Sequence, residues 1–345
     1  MKKVIILAAI AALTLTACSQ NSVIETPAED AIGFSAFSPV PTKGTVLTGT
    51  TLNPYYKEFT IYAYQGTTTF MDDISYVYGS AWDYAHSTDK KYWPSDETKK
   101  INFYAYTSSS DNELSASVSS SAQTLDITVP TDNASQEDIL VAECLNATKS
   151  DRDGDNSASL PTTGGVPMVF KHALSQVNFS ARNDSTSIIK VTLRGITVQN
   201  VLNEVTSTFA AVSSSPNSNV SNYSAGLNGS AIVLTNSASS VMANDGHLIL
   251  APQTTAAWNL TSSNTGARFA IDCKVEDTVS GVVYYDGTVY VPVSVAWVPG
   301  YNYTYTFVFG KGAGYDDNGD PVLNVISFVP TVTAWTDATG ETVTM

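Results

Sequence analysis

Six residues, Phe59-Thr60-Ile61-Tyr62-Ala63-Tyr64, indicate the fold class of this chain. They are β-branched or aromatic in the main, and such residues favour strands because their side chains fit a pleated, half-buried surface. Segments of the same character recur along the sequence: Ile101 to Tyr106, Leu125 to Val129, Val169 to Ala181, Ile188 to Val198, Leu248 to Leu250, Phe269 to Val275, Val282 to Val295, Tyr301 to Phe309 and Val325 to Val332. The chain therefore reads as strands through most of its length.

Turn-forming pairs separate these segments: Asn228-Gly229, Asp245-Gly246, Asp286-Gly287, Pro299-Gly300 and Asn318-Gly319. Such pairs favour tight turns because Gly and Asn tolerate a positive φ. No segment combines the apolar period and the caps of an amphipathic helix. We therefore expect a predominantly β protein, folded in sandwiches rather than in units that alternate strand and helix.

The length and the local composition predict two domains. The polar segment 151–165 lacks an apolar period, and domain boundaries fall in such linkers. We place the boundary at residue 165, which gives an N-terminal sandwich domain over 32–165 and a C-terminal one over 166–345. Two Ser- and Asn-rich segments, Ser108 to Ser121 and Val212 to Asn222, are expected to be long solvated loops.

The first seventeen residues have the features of a bacterial export signal. Lys2 and Lys3 precede an apolar run from Val4 to Leu13, which is too short to span a bilayer. Small residues ending at Ala17 then lead into Cys18, the pattern that a lipoprotein signal peptidase cuts. We expect residues 1–17 to be a signal peptide, cleaved between Ala17 and Cys18. Fatty acylation of Cys18, for example by palmitate, would follow, with residues 18–31 as the tether.

The net charge of the chain excludes some classes of binding partner. The 345 residues contain 17 Lys and Arg against 32 Asp and Glu, a formal net charge of −15. Loss of Lys2 and Lys3 with the signal would bring the mature chain to −17. A chain this acidic repels phosphates and anionic headgroups, so we expect no nucleic-acid partner and membrane contact through the lipid alone. Cys144 and Cys273 lie in apolar segments and are expected to be two buried free thiols.

No catalytic or metal-binding motif is present. The three His residues are far apart, and His172 lies between Phe170 and Leu174 in a predicted strand, which favours a structural role. The segment 151–156, DRDGDN, resembles the start of a calcium loop, but the position of the last ligand is Thr162. A plain acidic loop is the simpler interpretation of the segment 151–156. A hairpin turn is the simplest interpretation of the segment 316–320. We therefore expect no enzyme activity, no metal and no cofactor.

Aromatic residues cluster between positions 76 and 93. The cluster comprises Tyr76, Tyr78, Trp82, Tyr84, Tyr92 and Trp93. Exposed rings in such a cluster could stack on sugars or bind a host protein, and Trp82, Tyr84, Tyr92 and Trp93 are the candidates for ligand binding. Core packing is the alternative that the same composition allows.

The order and spacing of short motifs resemble the fimbrillin family, the lipoprotein pilins and pilus-associated proteins of Bacteroides-type Gram-negative bacteria. No single motif is decisive. The matching residues are Cys18, Ile32-Gly33-Phe34, Thr42-Lys43-Gly44, Phe59 to Tyr64, Tyr92-Trp93-Pro94, Phe103 to Tyr106, Asp138 to Ala142, Val169 to Val177, Leu250 to Gln253, Trp297 to Tyr305, Ile326 to Phe328 and Trp335.

The resemblance implies two tandem transthyretin-like (Greek-key) sandwich domains and assembly by strand exchange. In polymerising members a trypsin-like protease cuts after the first strand, and a neighbouring subunit's strand fills the groove that opens. The matching cut here is Lys43-Gly44, where family members commonly carry Arg. The removable strand is the segment 32–38, with Ile32, Phe34 and Ala36 on one face, and the segment 325–332 is the candidate donor.

Two hypotheses follow. In the first, the protein is a structural subunit or an accessory (tip or anchor) protein of a surface pilus, a lipoprotein of the outer membrane and fimbrium that supports cell adhesion. Its partners are then other pilin subunits, in a homo- or hetero-polymer. In the second, it is a surface lipoprotein that does not polymerise and binds a glycan or a host ligand through its exposed aromatic side chains.

Overall fold

The structure is a computed structural model. It describes residues 31–37, 58–107, 113–156, 165–214, 219–243, 247–261, 265–310, 312–323 and 327–334. These residues form an all-β protein whose described helical turns are two short 3-10 segments, Ser87–Asp89 and Asn133–Ser135. Among the described residues, no helix is long and apolar enough to cross a membrane. The prediction of an all-β fold is confirmed.

Strands follow one another along the whole described chain. The first thirteen are β1 (Phe34–Phe37), β2 (Glu58–Gln65), β3 (Thr68–Tyr78), β4 (Trp82–Tyr84), β5 (Ile101–Tyr106), β6 (Glu113–Val118), β7 (Gln123–Thr128), β8 (Leu140–Ala147), β9 (Val166–Val169), β10 (Lys171–His172), β11 (Ser175–Asn183), β12 (Ile189–Leu202) and β13 (Glu204–Thr208). The others are β14 (Ser213–Ser214), β15 (Val220–Ser224), β16 (Ile232–Val233), β17 (Ser239–Ser240), β18 (Leu248–Leu250), β19 (Gln253–Thr255), β20 (Arg268–Asp277), β21 (Val283–Pro292), β22 (Val295–Trp297), β23 (Tyr301–Phe309), β24 (Gly312–Tyr315), β25 (Pro321–Leu323) and β26 (Ser327–Ala334).

A six-stranded antiparallel sheet forms the N-terminal part, in the order β10-β8-β5-β2-β3-β4. Both faces of this sheet are buried at its central strands, β2 and β5. In β2, Phe59, Ile61 and Ala63 point to one face, whereas Tyr62 and Tyr64 point to the other. Because successive side chains alternate between faces, a strand buried on both sides needs an unbroken run of apolar and aromatic residues. The sequence of β2 provides such a run.

The first core lies on the Phe59 face of this sheet and is covered by a parallel pair, β1 and β9. Its buried members are Ile32, Phe34, Ala36, Phe59, Ile61, Ala63, Met71, Tyr76, Tyr84, Trp93, Ile101, Phe103, Ala105, Leu140, Ala142, Cys144, Ala147, Val166, Met168 and Phe170.

The second core lies between two C-terminal sheets and continues to the Tyr62 face of the N-terminal sheet. One has the order β17-β11-β23-β26 with β18 also paired to β11, and the other has the order β15-β12-β20-β21-β24-β25 with β16 paired to β12. Rings meet between the sheets: the centroid of Phe269 lies 5.6 Å from that of Phe179 and 4.9 Å from that of Tyr305. A four-stranded sheet, β14-β13-β7-β6, and the pair β19-β22 complete the fold.

Residues on either side of residue 165 contribute to the same core and to the same sheet. Val166, Met168 and Phe170 follow the expected boundary but pack in the first core, so this core extends beyond residue 165. Conversely, β7 precedes the boundary but pairs with β13 over five residues. A division into two domains at residue 165 stays a prediction.

Two expected loops contain strands, and these expectations were wrong in part. Within the segment 108–121, residues Glu113–Val118 form β6, which pairs with β7 in an antiparallel hairpin. Within the segment 212–222, β14 pairs with β13 and β15 pairs with β12. Ser and Thr alternating with apolar residues can occupy an exposed strand, and tertiary pairing overrides weak local preference here.

Both internal cysteines are buried and free, as expected. Cys144 packs in the first core and Cys273 in the second. Burial raises the pKa of each thiol to about 12, so neither is a thiolate near neutral pH.

Candidate functional site

The candidate site is the part of the first core in which β1 packs. We call it the groove; it is formed by β9 and by the side chains of Tyr76, Tyr84 and Phe103. This strand pairs with β9 in parallel, with Phe34 opposite Val166 and Phe37 opposite Val169. The Val166 amide donates to the Gly33 carbonyl at 2.8 Å, and the Phe170 amide donates to the Phe37 carbonyl at 3.1 Å. In the described residues β1 and β9 form a two-stranded sheet of their own, so β9 is the one strand neighbour of β1.

The side chains of Ile32, Phe34 and Ala36 all enter the first core, as the predicted strand requires. Ile32 and Ala36 are 0% exposed and Phe34 is 2% exposed. The Phe34 ring packs edge-on against Tyr76 at 5.2 Å and against Phe103 at 5.3 Å between centroids. The short segment 32–36 thus places three side chains in this core, Phe34 and Ala36 from β1 and Ile32 from just before it.

The backbone edge of this segment that faces away from β9 is satisfied by other groups. The Ile32 amide donates to the Lys91 carbonyl at 2.9 Å. The Tyr84 hydroxyl donates to the Ile32 carbonyl at 2.8 Å, and the Phe34 amide donates to the Tyr76 hydroxyl at 3.2 Å. These bonds fix the segment from the side on which no described strand pairs with it.

Of the four aromatic residues proposed as ligand binders, two are core residues. Tyr84 and Trp93 are buried in the first core, which leaves them out of reach of a ligand on the folded surface. Trp82 is half-buried against Phe59, with 4.9 Å between ring centroids, and Tyr92 is 39% exposed. The core-packing alternative thus describes Tyr84 and Trp93, because their rings fill space beside Ile32 and Phe103.

His172 and the two acidic segments, 151–156 and 316–320, have structural roles, because they connect elements of the fold. The His172 Nδ1 atom lies 2.6 Å from Asp138 Oδ2, and this buried pair joins β10 to the segment that precedes β8. The segment 316–320 is a hairpin turn between β24 and β25, closed by a bond from the Asp316 amide to the Asp320 carbonyl. The segment 151–156 folds back on the end of β8, where the Asp155 amide donates to the Leu145 carbonyl. Among the described residues, no three His, Cys, Asp or Glu side chains are grouped to hold a metal ion.

The processing residues lie outside the described residues. These are Ala17 and Cys18, the expected signal-peptidase cut and lipid site, and Lys43 and Gly44, the expected protease cut.

Sequence reasoning missed the other half of the groove. The pairing of β9 with β1 was not expected, nor were the roles of Tyr76 and Gly165. At Gly165, φ is +124°, and a Cβ would lie 2.0 Å from the Gly33 carbonyl oxygen. The alternation of apolar residues at 166, 168 and 170 is the signal that could have indicated a buried strand there.

The geometry of the described residues defines a class: an all-β protein whose first described strand fills a groove in its own core. A model of the fimbrillin-like family matches residues 28–335, which is most of the chain. The protein therefore belongs to the fimbrillin-like family. No curated protein sequence is similar enough to this chain to count as a match.

Solved structures of similar fold come from Bacteroides and Parabacteroides species. A fimbrial protein from Bacteroides vulgatus is 19% identical with a TM-score of 0.63, over 89% of this chain and 99% of that one. A candidate cell adhesion protein from Bacteroides uniformis is 15% identical with a TM-score of 0.51, over 90% and 100%. Another from Parabacteroides distasonis is 12% identical with a TM-score of 0.50, over 90% and 97%. At these identities the likeness shows the fold.

Proposed function

We propose that this protein is a structural subunit or an accessory (tip or anchor) protein of a surface pilus, and that it assembles by strand exchange. The observation that carries the proposal is the position of β1. This strand has one strand neighbour among the described residues, and yet Ile32, Phe34 and Ala36 are buried in the first core. Membership of the fimbrillin-like family supports the same role.

The covalent connection of β1 to β2 runs through residues 38–57. A cut between Lys43 and Gly44 would therefore leave β1 held by side-chain packing and hydrogen bonds alone. Burying a side chain such as Phe34 or Ile32 is worth about 1.5–3 kcal/mol each. Loss of the strand would open an apolar groove and free the edge of β9, which a strand from another subunit could then fill by β-augmentation.

The donor in this proposal is the C-terminal strand region, 325–332. In the structure β26 pairs with β23 in antiparallel register and, among the described residues, forms the edge of its sheet. Its Pro330 lacks an amide hydrogen, which is tolerated at sheet edges. An edge strand with one neighbour can leave its sheet at a lower cost than a central strand, since one ladder of hydrogen bonds is broken rather than two.

The proposal also gives a role to the lipid on Cys18. Acylated Cys18 would hold the precursor in the outer membrane, with 18–31 as the tether, until the cut at Lys43 separates the lipid and β1 from the rest of the chain. If the cut does not occur, the lipid becomes the permanent anchor, as an anchor protein would need. We also propose that the fold comprises two tandem transthyretin-like domains, a view supported by membership of the fimbrillin-like family.

Proteolysis tests the proposal. The chain without its signal is cut with a lysine-specific protease, and its mass is followed with concentration. We expect a cut after Lys43 and a ladder of polymers, because each opened groove can take a strand from another subunit. The matched control is Lys43→Ala, which should stay uncut at this site and monomeric. A wild-type chain that is cut after Lys43 and stays monomeric across concentration contradicts strand exchange.

A further inference from the structure

The backbone of the segment 32–37 presents two different edges. Along a strand, successive residues direct their amide and carbonyl groups to opposite sides. Gly33 and Phe37 accept bonds from the β9 side, through Val166 and Phe170. Ile32 and Phe34 face the other way, where they bond to the Lys91 carbonyl and to two tyrosine hydroxyls. One edge is therefore bonded to backbone and the other largely to side chains.

The two tyrosines are held firmly in the fold. Tyr76 on β3 and Tyr84 on β4 are opposite each other in the antiparallel ladder, and their ring centroids lie 5.1 Å apart. They are 3% and 7% exposed. Tyr76 also donates to the Trp82 carbonyl at 3.4 Å, so its hydroxyl is oriented to accept from Phe34. Burial raises the pKa of both phenols, so both remain hydroxyls at physiological pH.

These groups distinguish one register from its neighbours. A slip by one residue would turn the bonded amide and carbonyl of the strand away from the hydroxyls and would move its buried side chains out of the core. A slip by two residues would restore the backbone bonds but would place Ala36 in the site of Phe34 or the reverse. A strand thus fits when the backbone amide of its aromatic residue donates to the Tyr76 hydroxyl and the carbonyl two residues earlier accepts from the Tyr84 hydroxyl.

We propose that the hydroxyls of Tyr76 and Tyr84 and the carbonyl of Lys91 form a tyrosine clamp, which, together with the site that the Phe34 ring fills, sets the register of the strand in this groove. The groove then takes a parallel strand of the pattern apolar-x-aromatic-x-small. Its present occupant is the chain's own Ile32-Gly33-Phe34-Ser35-Ala36. The later occupant is the segment 325–332 of a second copy of the chain, in which Ile326-Ser327-Phe328 has the apolar-x-aromatic order, an assignment that rests on the proposed function.

A double-mutant cycle between peptide and protein tests the clamp. The protein is the full chain without its signal, carrying Phe34→Ala so that its own strand fills the aromatic site poorly. The probe is a fluorescent peptide with the sequence of residues 30–39, in its amide form and with an ester in place of the Gly33–Phe34 amide. The ester removes the amide hydrogen that donates to Tyr76. Binding is measured by anisotropy to this protein and to versions that also carry Tyr76→Phe or Tyr78→Phe.

We expect the ester to weaken binding about tenfold where Tyr76 is present, since a buried hydroxyl would lose its partner. In the Tyr76→Phe protein the amide and ester peptides should bind within about twofold of each other. The Tyr78→Phe control removes a hydroxyl from the same strand, and there the full penalty should remain. An ester penalty that is equal in all three proteins overturns the clamp, as does an amide peptide that does not bind.

The proposed function can fail separately. Cut protein that stays monomeric, together with an ester penalty that depends on Tyr76, would refute strand exchange between subunits and support the clamp for the chain's own strand. Polymers with a penalty that is independent of Tyr76 would refute the clamp and support exchange.

Discussion

Phe34→Ala is expected to lower the free energy of unfolding of the N-terminal part by about 3–5 kcal/mol. The Phe34 ring is 2% exposed and contacts Tyr76 and Phe103 in the first core. Its removal loses buried apolar surface and leaves a cavity between rings that are fixed by their own strands. Urea unfolding of the uncut chain, followed by tryptophan fluorescence, to which Trp82 and Trp93 of the N-terminal part contribute together with the other three tryptophans, measures the change.

Two variants calibrate this result. Ser35→Ala alters the next residue, which is half-buried, and should change stability by less than about 0.5 kcal/mol. Phe34→Leu keeps much of the volume and should cost less than Phe34→Ala. If Phe34→Ala is no more destabilising than Ser35→Ala, then β1 does not hold the first core together, and its removal could not open a groove.

Gly165→Ala is expected to destabilise the same core by about 2–4 kcal/mol. Two causes add. The φ of +124° is a region that residues with a Cβ rarely adopt, and the new Cβ would lie 2.0 Å from the Gly33 carbonyl oxygen. The backbone of β1 would have to move away from β9, which would lengthen the bond from the Val166 amide to Gly33. Thermal unfolding and hydrogen exchange of the segment 31–37 measure the effect.

Gly229→Ala is the matched control for this prediction. Gly229 has φ +103°, and a Cβ there would meet no heavy atom within 4 Å. It therefore carries the backbone strain without the collision. Gly165→Ala should cost clearly more than Gly229→Ala and should speed exchange in the segment 31–37. Equal costs, with exchange of that segment unchanged, would show that the close approach of β1 to β9 does not matter.

The strands of the fold could be predicted where the local pattern and the tertiary environment agree. The segment Ile101–Tyr106 is β5 with the predicted bounds, and Tyr301–Phe309 is β23 with the predicted bounds. β5 is buried or half-buried along its length, and so is β23 after the exposed Tyr301, so the apolar pattern is dense. The segment Ile32 to Ser38 was also predicted, and β1 spans Phe34–Phe37.

Other features could not be read locally. The pair Asp286-Gly287 resembles a turn but lies inside β21, where Gly287 pairs with Cys273 across the ladder. Its φ of +159° is extended backbone, so no turn is formed. The strand β6 lies in a Ser-rich segment and pairs with β7, which pairs in turn with β13 and so joins residues from both halves of the chain in one sheet. Long-range pairing of this kind leaves little trace in a local window.

In the groove, too, one part could be predicted from a local sequence pattern and the other part could not. The face with Ile32, Phe34 and Ala36 follows from the period of two in a strand, and it was predicted. The partner β9 lies more than 130 residues away, and the hydroxyls of Tyr76 and Tyr84 belong to a cluster that composition alone fits to a core or to a binding surface. Only the three-dimensional arrangement shows that these rings bond to the backbone of the first strand.

The N-terminus of the protein in fibres sheared from the cell surface tests the central claim most directly. Mass spectrometry of this material distinguishes a chain that starts at acylated Cys18 from one that starts at Gly44. The proposal that β1 is removed before assembly predicts Gly44, with the segment 18–43 absent from the fibre. Fibres composed of chains that still carry acylated Cys18 and an intact β1 would contradict it.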